Sequence, residues 1–292
     1  MTSSTISLTP ESGWGKSLRD NSRLLRRNPL VILGLAVVVV WIMLGVFAPQ
    51  LAPKDPLKQN VVDRLQAPNP AYPFGSDELG RDMLSRVLYG ARITIPAGIA
   101  VIVIGSVIGT LVGAVAGYSG GLWDELLMRI TELFMAFPTI ILALAITAAL
   151  GPDIRNAIIA LVIVWWPSYA RLIRGLVLEV KSKEYVEGAR SVGATGFYIL
   201  FRTVLPNCVS PAIVLATLDI GNAILTFAGL SFLGLGPDPS SPEWGRMVSI
   251  GIDFFDQWWM WLYPGLAIAI LVMAFNFVGD GLRDIFDPRL RK

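Results

Sequence analysis

The sequence contains no histidine and one cysteine, Cys208, and only 16% of its 292 residues are charged. Without histidine there is no imidazole to work as an acid or base near neutral pH, and the commonest metal ligand is missing. A lone cysteine allows neither an intramolecular disulfide nor a thiolate cluster, and at Cys208 it reads as a small buried apolar residue. The net charge of +2 gives no electrostatic reason to expect a nucleic-acid partner. What the chain has in abundance is apolar surface, with 54% hydrophobic residues and a mean hydropathy of +0.60. That is too apolar for an ordinary water-soluble domain and predicts an all-α membrane protein. Its work then falls to packed helices and to what the loops touch, not to a reactive side chain.

Charge-free runs mark the spans, because about 20 apolar residues are needed to cross a hydrocarbon core. Leu30–Phe47 supplies 18, Ile93–Gly117 25, Leu133–Pro152 20 with a start extending back toward Leu126, and Gln257–Gly279 23. Asn156–Ala170 supplies only 15, so it crosses if Arg171 and Arg174 lie at the interface with their stems snorkelling. Thr203–Pro237 runs for 35 residues interrupted only by Asp219, long enough for one tilted helix or a hairpin of two. The first run follows 29 residues and carries no A-x-A pattern after it, so it reads as an uncleaved anchor.

Lysine and arginine decide between six and seven spans, since short loops rich in them stay inside the cell. The N-terminal tail has Lys16, Arg19, Arg23, Arg26 and Arg27, and the C-terminal tail has Arg283, Arg289, Arg291 and Lys292. Both termini are therefore expected to be cytoplasmic, which six transmembrane helices allow and seven do not. That topology places 15 basic residues inside and eight outside, with Arg129 unassigned. It divides the chain into a cytoplasmic tail over 1–29, a first helix over 30–48 and an outer loop over 49–92. A core over 93–282 and a second tail over 283–292 follow. Trp258, Trp259, Trp261 and Tyr263 crowd the outer start of the last span, where such rings anchor at headgroup level.

Several constellations stand out within this frame. Gly105, Gly109, Gly113 and Gly117 recur every four residues and line one helix face with backbone, a packing stripe for a neighbouring helix. Asp77, Glu78, Arg81, Asp82 and Arg86 sit at helical spacing. The pairs Asp77–Arg81 and Asp82–Arg86 suggest an interfacial helix at the mouth of a pathway, or simply a self-paired solvated helix capped at Ser76. Asp219 and Asn222 share a face of the fifth span, and Asn276 shares one with Asp280 in the sixth. Intramembrane polar groups are costly enough to suggest function, so Asp219, Asn222 and Asn276 become candidates for lining a translocation path. Asp280, beside Arg283, is read as structural.

The connection between the fourth and fifth spans, about residues 174–206, is long for a chain of short loops, and long loops are usually functional or disordered. It is well punctuated: Glu184 to Arg190 suits a short surface helix, Gly193 a left-handed helix end, and Pro206 the restart of a helix. Its pattern of Glu187, Gly188, Ala189, Gly193, Leu205 and Pro206 resembles the EAA loop of ABC importer permeases. Further matching stretches are Phe74 to Arg86, Leu230 to Gly236, Glu243 to Met247 and Gly279 to Asp284. Together they resemble the dipeptide/oligopeptide/nickel permease family, in its subunit with the shorter outer loop, over about Arg23 to Arg291.

This resemblance implies the transmembrane domain of a type I ABC importer in a bacterial plasma (inner) membrane, with peptides or a similar small solute as cargo. It implies that Glu184, Glu187, Gly188, Ala189, Gly193, Leu205 and Pro206 form a coupling helix and its exit, docking on separate ATPase subunits. Those subunits, two in number, would bind ATP and Mg; this chain would bind no cofactor and no metal and would catalyse nothing. A second homologous permease and an extracytoplasmic solute-binding protein complete the expected partners, the latter meeting Asp77, Arg81, Asp82 and Arg86 at an outer gate.

Two other readings are weighed against this one. An ion-coupled secondary transporter or channel would use Asp219 as its titrating group, but no convincing inverted repeat accompanies it. A membrane-embedded enzyme lacks a convergent acid, base or metal set. Gly15-Lys16-Ser17 mimics the end of a phosphate loop, but the glycine required first would fall at Pro10 and no strand precedes it.

Overall fold

The computed structural model describes residues 29–286. The basic residues of both tails, apart from Arg283, and the Gly15-Lys16-Ser17 stretch lie outside the described residues. Five helices are long and apolar enough to cross a membrane. They are α1 (Pro29–Val46), α2 (Met83–Ser119), α5 (Ile154–Lys181), α7 (Leu205–Phe232) and α9 (Trp259–Phe286). A sixth span is counted if two pieces, α3 (Gly121–Met135) and α4 (Thr139–Leu150), bent 88° from each other, are taken as one. Two shorter helices of eight residues or more are α6 (Glu184–Ser191) and α8 (Trp244–Asp253).

Five of the six expected spans are single helices and the sixth corresponds to the bent α3–α4 pair, and three differ in construction from the sequence reading. The run Leu133–Pro152 is not a single helix. Pro138 lacks an N–H and disfavours helical backbone at Phe137, so the chain turns there. α3 has Asp124, Glu125, Arg129 and Glu132 among its 15 residues and lies askew, and α4 keeps only 12 residues, a length of about 18 Å. The 15-residue run Asn156–Ala170 lies in the first part of a 28-residue helix that continues to Lys181, and Arg174 is paired with Asp124 of α3 (Nε–Oδ1 2.5 Å) rather than snorkelling alone. The 35-residue run is one helix, not a hairpin. It is continuous from Gly196, and a π-helical turn over Ile199–Val204 lets Leu205 N–H reach back to Leu200 O, five residues away. Pro206 therefore sits inside a continuous helical run instead of restarting one.

α2 is the central strut, 37 residues or about 55 Å long. Asp82 caps its start by accepting from Ser85 N–H at 2.8 Å, and Gly120, at φ +68°, ends it. Along its length the glycine stripe meets α5: a Cβ at Gly109 would overlap Trp166 O and Tyr169 Cβ, and one at Gly113 would overlap Ala170 O. Backbone-to-backbone approach this close needs glycine on one side. α1 joins at the margin, its Gly34 against Ala274 of α9 and its Gly45 against Ala91 of α2. Residues 48–82 and 233–258 then share one face of the molecule, and 182–196 lie on the opposite face.

Candidate functional site

On the 182–196 face the chain builds a small protruding helix. α6 has Gly193 at φ +84° just past its end, with Gly193 N–H bonded to Arg190 O (3.0 Å) and Ala194 N–H to Ala189 O (3.2 Å), the paired bonds that close a helix on a left-handed glycine. One residue roots it: Val186, fully buried among Ala114, Ile173, Val177, Ile199 and Val204. Around that root the surface is open. Glu184, Glu187, Gly188 and Gly193 are exposed, as are Tyr185 (50%), Val192 (85%) and Phe197 (75%). Ala189 and Leu205 are half-buried against the core beneath, and Pro206 is exposed. Behind α6, Lys181 Nζ donates to Tyr118 O at 2.6 Å and the Tyr118 ring lies against Gly196. Asp124 takes Arg174 in a two-pronged pair, 2.5 and 2.7 Å. The arrangement is a rigid knob with an unpartnered aromatic and acidic surface.

The opposite face carries a buried ionic cluster where the sequence suggested an interfacial helix. Residues 75–82 are a tight loop: Gly75 and Gly80 have positive φ, and Asn60 O lies where a Cβ at Gly80 would stand. Ser76 caps nothing; its hydroxyl accepts from Gln66 N–H at 2.8 Å, and the helix cap is Asp82. The Asp77–Arg81 pair forms (2.6 Å), but Asp82 faces Ser85, and Arg86 turns instead to Asp77 at 3.5 Å. Arg86, 1% exposed, also donates to the carbonyls of Pro56, Ser240 and Ser241, each at 3.2 Å, tying three segments together. Arg81 reaches Glu78 at 2.7 Å. Burial, reinforced by Asp77, pushes the Glu78 carboxyl above its ordinary 4.5. The cluster is a structural clasp closed to solvent, so Asp77, Arg81, Asp82 and Arg86 present no free charge to a partner.

Four participants escaped the sequence reading. Glu243 is fully buried and caps α8, accepting from Gly245 and Arg246 N–H at 2.8 Å and from Thr94 Oγ1 at 3.2 Å. Burial raises its carboxyl above the ordinary value. Trp244 donates to Val87 O at 2.9 Å. Trp259, expected to anchor in headgroups, is instead buried and donates to Ser76 O at 3.1 Å; Trp258 remains exposed. Tyr169 donates to Asp219 Oδ2 at 2.8 Å, joining α5 to α7. The Pro242-Glu243 start of an apolar helix was a legible cap signal; the Tyr169 contact, fifty residues away in sequence, was not.

Within the spans, Asp219 and Asn222 lie three residues apart on one face of α7, and Asn276 comes from α9. Asp219 is half-buried under Tyr169, Asn222 is exposed on the unpartnered side of α7, and Asn276 lies at the α7–α9 contact beside Gly221. Below Asn222 that unpartnered side continues through Leu225, Gly229 and Phe232 into an open groove of about 490 Å³. α8 and α9 close the groove with Gly245, Val248, Gly265 and Met273. Among the described residues no group of three or more histidine, cysteine, aspartate or glutamate side chains is placed to hold a metal ion.

Comparison with known proteins bears on this geometry. Residues 109–292 match the family described as "Binding-protein-dependent transport system inner membrane component". Residues 17–68 match the "N-terminal TM domain of oligopeptide transport permease C". A dipeptide transport system permease protein DppC of Alkalihalophilus pseudofirmus is 40% identical over 97% of this chain and 92% of its own length. A probable D,D-dipeptide transport system permease protein DdpC of Escherichia coli is 42% identical over 91% and 90%. A glutathione transport system permease protein GsiD, also of E. coli, is 44% identical over 92% and 89%. Among solved structures, an inward-facing form of the MetNI methionine ABC transporter superposes with a TM-score of 0.57 at 22% identity, covering 70% of this chain and 98% of that one. The fold is that of an ABC importer permease.

Proposed function

The chain belongs to the family of binding-protein-dependent transport system inner membrane components, and from that premise we propose that it is one permease half of an ATP-driven importer of short peptides. The relatives named for dipeptide transport support the cargo class. The observation that carries the coupling role is the α6 knob, rooted by Val186 with Ala189 half-buried beside it, and exposed over the rest of its surface. We assign Glu184, Glu187, Gly188, Ala189 and Gly193 to the seat of an ATPase subunit, with Leu205 and Pro206 in the helix that carries the load away. Two such ATPases, binding ATP and Mg, would serve this chain and a second homologous permease. In this reading the 182–196 face and both termini are cytoplasmic, and the 48–82 face receives a solute-binding protein.

The mechanism follows from what α6 is fastened to. A push on the knob passes through Val186 into the core between α2, α5 and α7, and the Lys181–Tyr118 and Arg174–Asp124 links tie α5 to α2 and α3 so that they move with it. Opening is then a two-state rearrangement biased by the ATPases on one side and by the loaded receptor on the other. The second permease would pack along the unpartnered side of α7, at Leu225, Gly229 and Phe232, and Asn222 would line the path between the two. Asp219, held by Tyr169, supports the rival reading of an ion-coupled carrier. Uptake that persists without an ion gradient and needs ATP excludes that rival; uptake indifferent to ATP and lost in Asp219→Asn establishes it.

The direct test is extraction of the complex in mild detergent from cells carrying wild type or Glu187→Arg. ATPase chains and a second permease should co-purify with wild type, and the variant should lose the ATPases while keeping the permease. A folded wild type that brings no ATPase sinks the proposal.

A further inference from the structure

α1 buries only Val31, Gly34, Val38 and Gly45, and Leu33, Val40, Met43 and Phe47 stand about half exposed on the rest of its surface. α2 has a second aliphatic surface without a protein neighbour, at Val103, Val107 and Leu111. Arg92 heads it, lying 4, 11 and 15 residues before Pro96, Val103 and Val107 and hence on their helix face. The charge-free run of α2 begins at the next residue, Ile93, so Arg92 marks the hydrocarbon boundary. At Arg92, just after the end of α1 and at the head of the α2 surface, opens a cleft of about 760 Å³, walled by Pro49, Pro53, Pro242 and Tyr89.

Two cationic residues, Arg92 and Lys54, line the cleft. Arg92 is exposed, has no carboxylate within 4 Å among the described residues, and holds its guanidinium 5.7 Å from the Tyr89 ring. Lys54 lies over the Tyr72 ring. One carboxylate, Asp55, also lines the cleft, but its Oδ1 is turned onto Leu57 N–H at 2.8 Å. A concave site with spare positive charge, set where two lipid-facing surfaces meet the headgroup layer, is suited to a phosphate carrying acyl chains.

We propose that this cleft binds the phosphate of an anionic phospholipid. Arg92 is its chief ligand and Lys54 the second cation, and the acyl chains lie along the exposed aliphatic faces of α1 and α2. The site is independent of how α6 meets its partners.

The test uses the complex as extracted, stripped of lipid and titrated by native mass spectrometry with phosphatidylglycerol, phosphatidylcholine, inorganic phosphate or a dipeptide. Wild type should retain phosphatidylglycerol about five-fold more tightly than phosphatidylcholine, the factor a single headgroup-level cation contributes. Arg92→Gln should abolish that preference and Arg92→Lys should keep most of it, at unchanged thermal midpoint. Should Arg92→Gln fail to assemble, Lys54→Gln must weaken the preference. Equal retention of both lipids by wild type, or a preference untouched in both glutamine variants, overturns the proposal. Displacement of the lipid by equimolar phosphate or dipeptide also overturns it, by assigning the cleft to a free anion or to the solute.

Discussion

Replacing Arg86 by methionine keeps an unbranched apolar stem and removes every polar contact the side chain makes. Three carbonyls, those of Pro56, Ser240 and Ser241, lose a charged donor at 3.2 Å, and Asp77 loses a cation at 3.5 Å. Removing one partner of a buried pair costs about 3–5 kcal/mol when the other charge is left bare. Asp77 is not left bare, since Arg81 Nε (2.6 Å) and the N–H groups of Leu79 and Arg81 still hold it. The cost therefore falls mainly on the three carbonyls, about 1 kcal/mol each, or about 3 kcal/mol in all. For a chain of this size that lowers the unfolding midpoint by roughly 5 °C. Tryptophan fluorescence during heating reads it directly, because Trp244 and Trp259 are bonded to Val87 and Ser76 at the edges of the cluster. Trypsin should also cut faster at Lys58 and Arg64 once the 48–82 segment is unpinned. A midpoint within 2 °C of wild type with unchanged cleavage would show that water replaces Arg86 at no cost, and the clasp would be discarded.

Three further outcomes are expected. Gly109→Val drives side-chain atoms into Trp166 O and Tyr169 and should cost about 2 kcal/mol by overpacking, seen as a lower midpoint; an unchanged midpoint means that α2 and α5 are not packed backbone to backbone. Gly188→Ala meets open space and should stabilise α6 by about 1 kcal/mol, raising amide protection there about five-fold in hydrogen exchange; unaltered protection would show that α6 is not a helix in solution. The raised carboxyl of Glu243 favours its protonated form in the folded state. Its stabilising contribution is present below the ordinary value of 4.5 and is lost as pH rises through the folded value. Glu243→Gln should remove that decline, so the wild-type and variant midpoints diverge with rising pH over that window, and parallel curves refute it.

Much of this was written in the sequence because it depends on local composition. A charge-free run must be buried in lipid or protein wherever it falls, so six crossings could be counted without coordinates. The Glu184 to Gly193 helix was legible for a similar reason: its glycine stop and acidic start act within ten residues. The glycine stripe announced that something would come close to α2. It could not name α5, because the partner's contribution is carbonyl oxygen at Trp166 and Ala170, which any sequence supplies.

The loop at 75–82 shows the opposite case. Acid and base at four-residue spacing fit a helix, yet two glycines at positive φ and the carbonyl of Asn60 impose a tight turn, and the same charges then point inward. Whether a charge is a solvated ornament or a buried clasp is a question of what packs over it, here the 238–243 loop, some 155 residues later in the chain. The likeness of Trp258 and Trp259 in sequence hides the same distinction, since one is exposed and the other donates to Ser76. The sequence by itself determined the number of crossings, the all-helical class and the place of the protruding helix, because each follows from hydropathy and turn chemistry over short spans. Only the tertiary structure decided which polar groups are spent holding the molecule together, because partners for a desolvated charge are found in space and not along the chain.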